Sequence, residues 1–291
     1  MGDVALAVDV GGTKLAVGRV SADGAVLARA VGATGAAEPG LSGDGLWERL
    51  VGLIDEVRVG SEVVCGVGCG GPMLPGGVEV SPLNIPQWRG FPLRSRLSSL
   101  LGVPVAVDND AKALALGEGW RGAARGARNF VAMVVSTGVG GGIVLDGRLL
   151  DGAGGNAGHI GHVVVEPAGR RCACGGQGCL EAEASGPSIA AITGRPAAEA
   201  PLSVRERTGR LVGRAVASVA NLLDLPLAVV AGSVALGYGE PFFAAAQAEI
   251  DARARLEFSR GTRIVPAGLG ADGPLVGAAA VGWRAVGSLD A

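Results

Sequence analysis

Side chains that commonly bind metal are concentrated near the middle of this chain. Cys172, Cys174 and Cys179 fall within eight residues, and His162 precedes the first of them by ten positions. Thiolate and imidazole are the ligands that suit tetrahedral Zn²⁺, and the glycines between the cysteines permit the tight turns of a metal-binding knuckle. The alternative is three small buried thiols and an ordinary core histidine. Because both histidines of the chain lie in this region, we favour a zinc knuckle.

Two glycine-rich loops are candidates for binding phosphate. The first is Asp9-Val10-Gly11-Gly12-Thr13-Lys14, and the second is Ser136-Thr137-Gly138-Val139-Gly140-Gly141-Gly142. Successive backbone N–H groups that carry no side chains form a concave anion site. Asp9 is suited to hold Mg²⁺ or its water, while Thr13 and Lys14 are suited to donate to phosphate oxygens. A tight hairpin is the alternative explanation for either loop alone.

Asp110 is the candidate for acid–base chemistry. It follows a predicted strand and opens a predicted helix, in the string Asp108-Asn109-Asp110-Ala111-Lys112. The dipole at a helix N-terminus keeps a carboxylate ionised. Such a group can accept the proton of a substrate hydroxyl that attacks a phosphoryl group. The alternative is that Asp108 or Asp110 only caps the helix.

The elements that must position these residues occur twice. A strand over 5–10, the first loop, a strand over 15–20 and a Ser21–Gly24 turn lead to a strand over 25–31. About 128 residues later, the same order recurs as a strand over 130–135, the second loop, a strand over 143–145 and an Asp146-Gly147 turn. A repeat at this spacing predicts a duplicated domain, since solenoid repeats are far shorter.

The rest of the chain alternates predicted helices and strands. Helices are predicted over 46–57, 111–120, 204–223, 241–256 and 274–286, and strands over 63–67, 103–107, 227–230 and 263–265. Alternation of this kind predicts mainly parallel sheets covered by helices, with ligands at the strand ends. Two lobes that face one cleft would bring both glycine loops onto one ligand.

Composition narrows the class of protein. The 291 residues suffice for two lobes, and the 48% hydrophobic content is typical of a packed globular chain. The net charge of −2 with no block of like charges argues against nucleic acid or an acidic membrane surface as a partner. No apolar run reaches the ~18 residues of a membrane span, and the N-terminus lacks the basic region of a signal peptide. We therefore expect a soluble cytoplasmic protein.

Taken together, the motifs resemble those of the ROK sugar kinases, in the superfamily that also contains actin. The resemblance runs from Ala5 to Val286 and rests on both loops, on Asn109-Asp110-Ala111, and on Gly161-His162 with the later string Cys172-x-Cys174-Gly-x-x-Gly-Cys179-x-Glu181. It implies an α/β fold, a duplicated actin-like (ribonuclease H-like) pair of lobes with a ligand cleft between them and a structural zinc knuckle. The implied lobes are 1–117 and 118–273, the second with the zinc loop, and a helix over 274–291 packs back on the first.

The resemblance also implies contacts to a sugar. Asp110 would be the general base, and Asn109 and Glu181 would hydrogen-bond sugar hydroxyls. Asn84 lies in Ser81–Trp88, which is similar to the family's Asn-x-Pro-x-Trp sugar loop. The implied contacts are completed by Gly71, His159 and His162.

The phosphate and metal ligands follow from the same resemblance. The ATP phosphates, together with Mg²⁺, would lie against Asp9, Gly11, Gly12, Thr13, Lys14, Thr137 and Gly138, and Gly232 would lie near the adenosine. The zinc ligands would be His162, Cys172, Cys174 and Cys179. Zinc would be structural, because four protein ligands leave no open position for chemistry.

Two positions depart from the family pattern. His159 stands where the family usually has a sugar-binding glutamate, and a neutral imidazole cannot accept bonds from two neighbouring hydroxyls as a carboxylate can. Either His159 alters the choice of sugar, or it is a loop residue of no consequence. The string Cys69-Gly70-Gly71-Pro72 also differs from the family's Pro-Gly, although Gly71 matches. We interpret Cys65 and Cys69 as small core residues.

These features predict an ATP-dependent kinase that phosphorylates a primary hydroxyl of glucose or a close relative. The resemblance to the family implies assembly as a homodimer or homotetramer, which no feature of the chain itself fixes. One alternative is a sugar-sensing regulator, which carries a DNA-binding segment ahead of the kinase-like body. The Asp9 motif begins too early for such a segment, and the chain is not basic. Another alternative is a sugar-binding protein without activity. The sequence leaves open the identity of the sugar, and ATP or polyphosphate as the donor.

Overall fold

The computed structural model describes residues 2–289. Residue 1 of the predicted first lobe and residues 290 and 291 of the predicted C-terminal helix lie outside the described residues. The chain divides into two compact units, each built from separate stretches of sequence. Unit 1 comprises the described residues of Met1–Arg125, Arg148–Ala157 and Gly268–Ala291. Unit 2 comprises Gly126–Gly147 and Gly158–Ala267. The predicted lobe bounds at 117/118 and 273/274 stay a prediction.

The strands form two sheets. The first contains β1 (Val4–Val10), β2 (Lys14–Ser21), β3 (Val26–Ala33), β4 (Val64–Cys69) and β5 (Val105–Asn109), in the order β3-β2-β1-β4-β5. The second contains β6 (Phe130–Val135), β7 (Val139–Leu145), β8 (Arg148–Leu149), β9 (Leu227–Ala231) and β10 (Arg263–Pro266), in the order β10-β9-β6-β7-β8. Read from β8, the second order matches the first strand for strand, so the predicted duplication is confirmed.

The α-helices lie between these strands in the sequence, and the last of those described follows β10. They are α1 (Gly43–Val57), α2 (Leu93–Leu101), α3 (Asp110–Arg121), α4 (Leu180–Ala184), α5 (Gly186–Thr193), α6 (Leu202–Leu223), α7 (Ser233–Tyr238), α8 (Glu240–Arg253) and α9 (Gly273–Ala285). Within residues 2–289, we find no helix with both the length and the apolar character that crossing a membrane requires.

The prediction of mainly parallel sheets is wrong, because both sheets are mixed. In the first sheet β2 pairs antiparallel with β1 and β3, whereas β4 pairs parallel with β1 and β5. In the second sheet β6 pairs antiparallel with β7 and parallel with β9. The short turns after β1 and β6 allow only hairpins, since a parallel pair needs a long crossover.

The second glycine loop is shorter than its sequence suggests. Strand β7 begins at Val139, paired with Val135, so Gly140, Gly141 and Gly142 belong to the strand. A β-carbon at Gly141 would lie 3.1 Å from the carbonyl oxygen of Gly158. Glycine is therefore needed here for close approach of another segment, and only Ser136–Gly138 forms the loop.

Small residues let helix α9 pack closely in unit 1. Ala278 and Ala279 belong to a buried cluster with residues of β1 and β4. A β-carbon at Gly66 of β4 would lie 1.9 Å from the carbonyl oxygen of Ala278, and one at Gly117 of α3 would lie 2.9 Å from the Cα of Gly277. The other face of the sheet is covered by the amphipathic helix α1 and by α2.

Candidate active site and metal centre

Two acidic residues of unit 1, Asp9 and Asp110, lie together at one edge of the first sheet. Strands β1, β4 and β5 run parallel, with Asp9 opposite Gly68 and Cys69 opposite Asn109, so their carboxyl ends lie side by side. A β-carbon at Gly68 would lie 3.7 Å from Asp9 Oδ1 and 3.7 Å from the Cα of Asp110. The strand register therefore brings Asp9 together with Asp110, the first residue of α3.

The electrostatics of Asp9 reflect this neighbourhood. Burial and, after it, the negative charge of Asp110 raise the pKa of Asp9 to about 7, while Lys14 acts in the opposite direction. Two like charges at close range disfavour joint ionisation. A cation placed beside Asp9 would offset both effects and favour its ionised form.

Asn109, rather than Asp108 or Asp110, is the N-cap of α3. Its backbone is extended, and its Oδ1 accepts the N–H of Ala111 at 3.0 Å. A β-carbon at Gly71 would lie 3.3 Å from Asn109 Nδ2. The cap thus holds the Asn109 amide nitrogen near Gly71. Asp110, exposed in the first helical turn, is not needed as the cap.

Asn84 lies against the first glycine loop. A β-carbon at Gly12 would lie only 2.6 Å from the Cβ of Asn84, so no larger residue fits without moving one of the two segments. Gly11 N–H donates to the Lys14 carbonyl oxygen at 2.9 Å and fixes the loop. Thr13 and Lys14 are both exposed. The structure therefore joins the predicted sugar loop and the predicted phosphate loop within unit 1.

A buried aromatic pair supports the segment that carries Asn84. The ring of Trp88 stacks on that of Phe91 with centroids 4.4 Å apart, and Trp88 Nε1 donates to the carbonyl oxygen of Gly43 at 3.0 Å. Gln87 Nε2 donates to the carbonyl oxygen of Ala36 at 2.8 Å. The segment is therefore fixed at its C-terminal end by packing and by two hydrogen bonds.

In unit 2, Glu181 lies at the second glycine loop. Its Oε2 accepts the N–H of Val139 at 2.9 Å, and a β-carbon at Gly138 would lie 3.1 Å from the same oxygen. Thr137 is exposed at the tip of this loop. The sequence predicted Glu181 as a sugar contact and gave no sign of this bond to the loop, which joins residues far apart in the chain.

Gly232 lies where the chain leaves β9, close to the end of β6. Its φ is 101°, and a β-carbon there would lie 2.3 Å from the carbonyl oxygen of Val135, so only glycine fits. The hydroxyl oxygens of Ser136 and Ser233 are 2.9 Å apart. The structure thus brings Gly232 next to the loop that carries Thr137 and Gly138.

The four predicted metal ligands form one cluster in unit 2. The ligand atoms of His162, Cys172, Cys174 and Cys179 all lie within 4.8 Å of one another. Cys172 Sγ is 3.8 Å from His162 Nδ1, and Cys174 Sγ is 3.8 Å from Cys179 Sγ. Tetrahedral ligands about 2.3 Å from a zinc ion lie about 3.8 Å apart. The residue types and their spacing therefore fit Zn²⁺.

Short backbone bridges build the knuckle around this cluster. Isolated bridges pair Val164 with Cys179 and Arg171 with Gln177. A β-carbon at Gly178 would lie 1.8 Å from the carbonyl oxygen of Glu166, so the turn there requires glycine. Helix α4 begins directly after Cys179. The knuckle consequently sets the position of Glu181 in the first turn of that helix.

His159 lies beside the metal cluster. Its ring centroid is 6.0 Å from that of His162, and its side chain is exposed. His159 directly precedes the short helical turn Ile160–His162, which ends at the second histidine. His159 is therefore placed by the same segment that supplies a metal ligand.

Sequence reasoning missed the surroundings of Cys69. As predicted, the residue is buried, but it ends β4 between Val10 of β1 and Asn109 of β5. Burial and then the charges of Asp110 and Asp9 raise the pKa of its thiol. Strand β4 pairs with β1 so that Cys69 lies opposite Val10, the residue after Asp9. This strand pairing is the signal that places Cys69 beside Asp9 and Asp110.

Three comparisons relate this chain to known proteins. A sequence model of the ROK family matches residues 5–284. The N-acetylmannosamine kinase of Citrobacter koseri is 36% identical over 249 residues, which cover 80% of this chain and 84% of that enzyme. The glucokinase of Thermotoga maritima is 43% identical over 187 residues, which cover 63% of this chain and 58% of that enzyme. The crystal structure of a ROK family glucokinase from Streptomyces griseus in complex with glucose and AMPPNP has a TM-score of 0.82 at 29% identity, and the match covers 97% of this chain and 99% of that one.

Proposed function

This chain belongs to the ROK family, and on that premise we propose that it is an ATP-dependent sugar kinase that phosphorylates a primary hydroxyl of glucose or a close relative. The observation that carries the proposal is the pairing of Asp9 with Asp110 at the carboxyl edge of the first sheet. Asp110 supplies an exposed carboxylate at the start of α3. Asp9 supplies a second, less exposed carboxylate next to the first glycine loop. The glucokinase and N-acetylmannosamine kinase relatives support sugar phosphorylation.

In the proposed reaction, Asp110 accepts the proton of the sugar hydroxyl as the hydroxyl oxygen attacks the γ-phosphorus of ATP. The bond from the γ-phosphorus to the β,γ-bridging oxygen breaks, and ADP leaves. Asn84 and Asn109 orient the sugar, with Glu181, His159, His162 and Gly71 as further contacts. The backbone N–H groups of both glycine loops bind the phosphates. Mg²⁺ that accompanies ATP neutralises phosphate charge, and Asp9 is the residue that would hold it or its water.

We assign the Cys172, Cys174, Cys179 and His162 cluster to a structural zinc ion. The observation that supports it is the spacing of the four ligand atoms. With four protein ligands the ion has no open position, so its effect is to fix the knuckle. Glu181 and His159 flank that knuckle, and zinc would hold both at the sugar.

The decisive experiment measures ADP release from ATP and Mg²⁺ across a panel of hexoses and N-acylhexosamines. We expect one sugar to give turnover, and Asp110→Asn to lower kcat by about a hundred- to ten-thousandfold while the sugar still binds. Asp3→Asn, which removes an exposed carboxylate near the start of β1, serves as the comparison. Substantial turnover in Asp110→Asn would show that Asp110 is not the general base.

The panel also decides between the candidate sugars. Turnover on glucose alone supports the proposed substrate, whereas turnover on N-acetylmannosamine alone moves the assignment to the sugar of the Citrobacter koseri relative. Sugar binding without turnover, with ATP or with polyphosphate, would identify a sugar-binding protein instead. Assembly as a homodimer or homotetramer stays a prediction, which sedimentation velocity tests.

A further inference from the structure

A buried lysine of α3 forms an ion-pair network that the proposed reaction does not use. Lys112 is 2% exposed, and its Nζ lies 2.6 Å from Asp151 Oδ1 and 3.2 Å from Asp108 Oδ1. It also donates to the carbonyl oxygen of Gly155 at 3.3 Å. A buried ammonium group is stable only when it is paired and hydrogen-bonded. Lys112 is therefore committed to these three oxygens.

Helix α9 contributes a second cation to the same network. Arg284 Nη2 is 3.3 Å from Asp151 Oδ2, and Arg284 Nη1 is 3.9 Å from Asp108 Oδ2. Two cations and two carboxylates thus alternate beside a cavity of about 550 Å³ in unit 1. Burial raises the pKa of Asp151, but the hydrogen bond and charge of Lys112, and then Arg284, outweigh it and lower the pKa overall.

Asp151 opens a glycine-rich segment that is followed by His159. Four of the seven residues from Gly152 to Gly158 are glycine, and His159 follows at once. Ala157 N–H donates to the carbonyl oxygen of Asp151 at 2.9 Å and closes the segment into a turn. Because glycine loses more conformational freedom on ordering than any other residue, such a turn needs an external anchor. Lys112 supplies it, since it holds Asp151 at the start of the turn and Gly155 inside it.

We propose that Lys112 and Asp151 are positioning residues for the sugar site. Lys112 lies two residues after Asp110 in α3, so the helix that carries the proposed base also anchors residues 151–157, which belong to the same unit. The ion pair, defined here as the Lys112–Asp151 latch, fixes where that segment starts. This inference rests on the proposed function for its kinetic consequence, but the anchoring itself is measurable without turnover.

The test uses Asp151→Asn in the full-length protein. The side chain of Asp151 is 52% exposed, so the change removes a charge without burying an unpaired group. Lys112→Met is less suitable, because it would leave Asp108 without its buried partner. Asp146→Asn is the matched control: it makes the same change in the preceding turn, where φ is 53° and asparagine is tolerated.

We expect Asp151→Asn to raise KM for the sugar about tenfold, with KM for ATP and zinc content unchanged. Asp151→Glu should recover much of the loss, and Asp146→Asn should match wild type. An unchanged sugar KM in Asp151→Asn, or equal increases in both KM values, would overturn the positioning role.

Hydrogen exchange at the Ala157 amide separates this inference from the proposed function. We expect Asp151→Asn to speed exchange there about tenfold, because the turn loses its anchor. If wild type shows no turnover on any sugar, the proposed function fails and exchange alone decides whether the latch exists. If exchange is unchanged in Asp151→Asn, the latch is absent whatever the kinetics show.

Discussion

Asp9 exchanges its proton near neutral pH, since burial and the charge of Asp110 raise its pKa to about 7. An aspartate in the unfolded chain has a pKa of about 3.9. Between roughly pH 4 and 7 the native state therefore holds a proton that the unfolded state has released. Stability falls as pH rises wherever the native state binds more protons. Asp9 thus lowers the free energy of unfolding as pH rises through this window.

The first prediction concerns Asp9→Asn. The variant should melt about 2–6 °C higher than wild type at pH 8, with a smaller gain at pH 5, because it removes a carboxylate that is costly to ionise. It should also lose most kinase activity, since a neutral amide attracts a cation or its water far more weakly than a carboxylate does. Calorimetry at both pH values checks the stability, with Asp3→Asn, an exposed aspartate near the start of β1, as control. Equal melting temperatures at pH 8 would contradict the raised pKa.

The second prediction concerns Gly12→Ala. The added β-carbon would meet the Cβ of Asn84 at 2.6 Å and displace one loop from the other. We expect KM for the sugar to rise about tenfold or more, because small misplacements of contact residues weaken catalysis strongly. Gly52→Ala in α1, where nothing lies within 4 Å of the added carbon, is the matched control. Steady-state kinetics of both variants measure the KM for the sugar and check this prediction.

At the scale of elements, the motif-bearing strands and their flanking helices were predicted well. Strand β1 and helix α3 begin within one residue of their predicted starts, because apolar runs end at clear glycine or acidic boundaries. The predicted family and fold class are confirmed by the family match and by the Streptomyces griseus structure. The short helices α2, α4, α5 and α7 were missed, since so few turns carry little periodicity.

The site was predicted less completely than the elements. Asp9 and Asp110 come together because parallel strands align their carboxyl ends, and that follows from the sequence once the strands are assigned. The Glu181–Val139 bond, the contact of Gly12 with Asn84 and the Lys112–Asp151 latch join residues distant in the chain. Such pairs depend on tertiary packing, and no local pattern encodes them.

The third prediction concerns the zinc knuckle as an element. Cys174→Ser should lose most bound zinc and lower the melting temperature of unit 2, because the ligand set falls to three and folding free energy is coupled to metal binding. Cys174 is exposed, so its replacement leaves no cavity. Ala173→Ser, a neighbouring exposed position, is the control. Metal analysis and calorimetry measure both effects, and full zinc content in Cys174→Ser would remove this cysteine from the ligand set.

At the scale of the whole molecule, unit 1 depends on residues from opposite ends of the sequence. Strand β4 carries Gly66, and helix α9 lies against it so closely that an added β-carbon would come within 1.9 Å of the Ala278 carbonyl oxygen. Glu118 of α3 accepts the N–H groups of Gly268 and Leu269 at 3.0 and 3.1 Å. These contacts hold the last segment of the described chain on the first sheet.

The fourth prediction tests this dependence. Gly66→Ala should lower the free energy of unfolding by roughly 1–3 kcal/mol or more, because the backbone of α9 cannot yield as a side chain can. Denaturant unfolding monitored by intrinsic fluorescence measures the loss, and Gly52→Ala again provides an unstrained comparison. Wild-type stability in Gly66→Ala would show that α9 packs less closely than the structure indicates.

The placement of α9 also matters while the protein is being made. A ribosome releases β1 and β4 long before Ala278 and Ala279, which cover them. The stretches that form unit 2 are synthesised completely before α9 appears. The nascent chain must therefore leave this apolar face of the first sheet uncovered until α9 has been synthesised, and transiently exposed apolar surface of this kind favours aggregation.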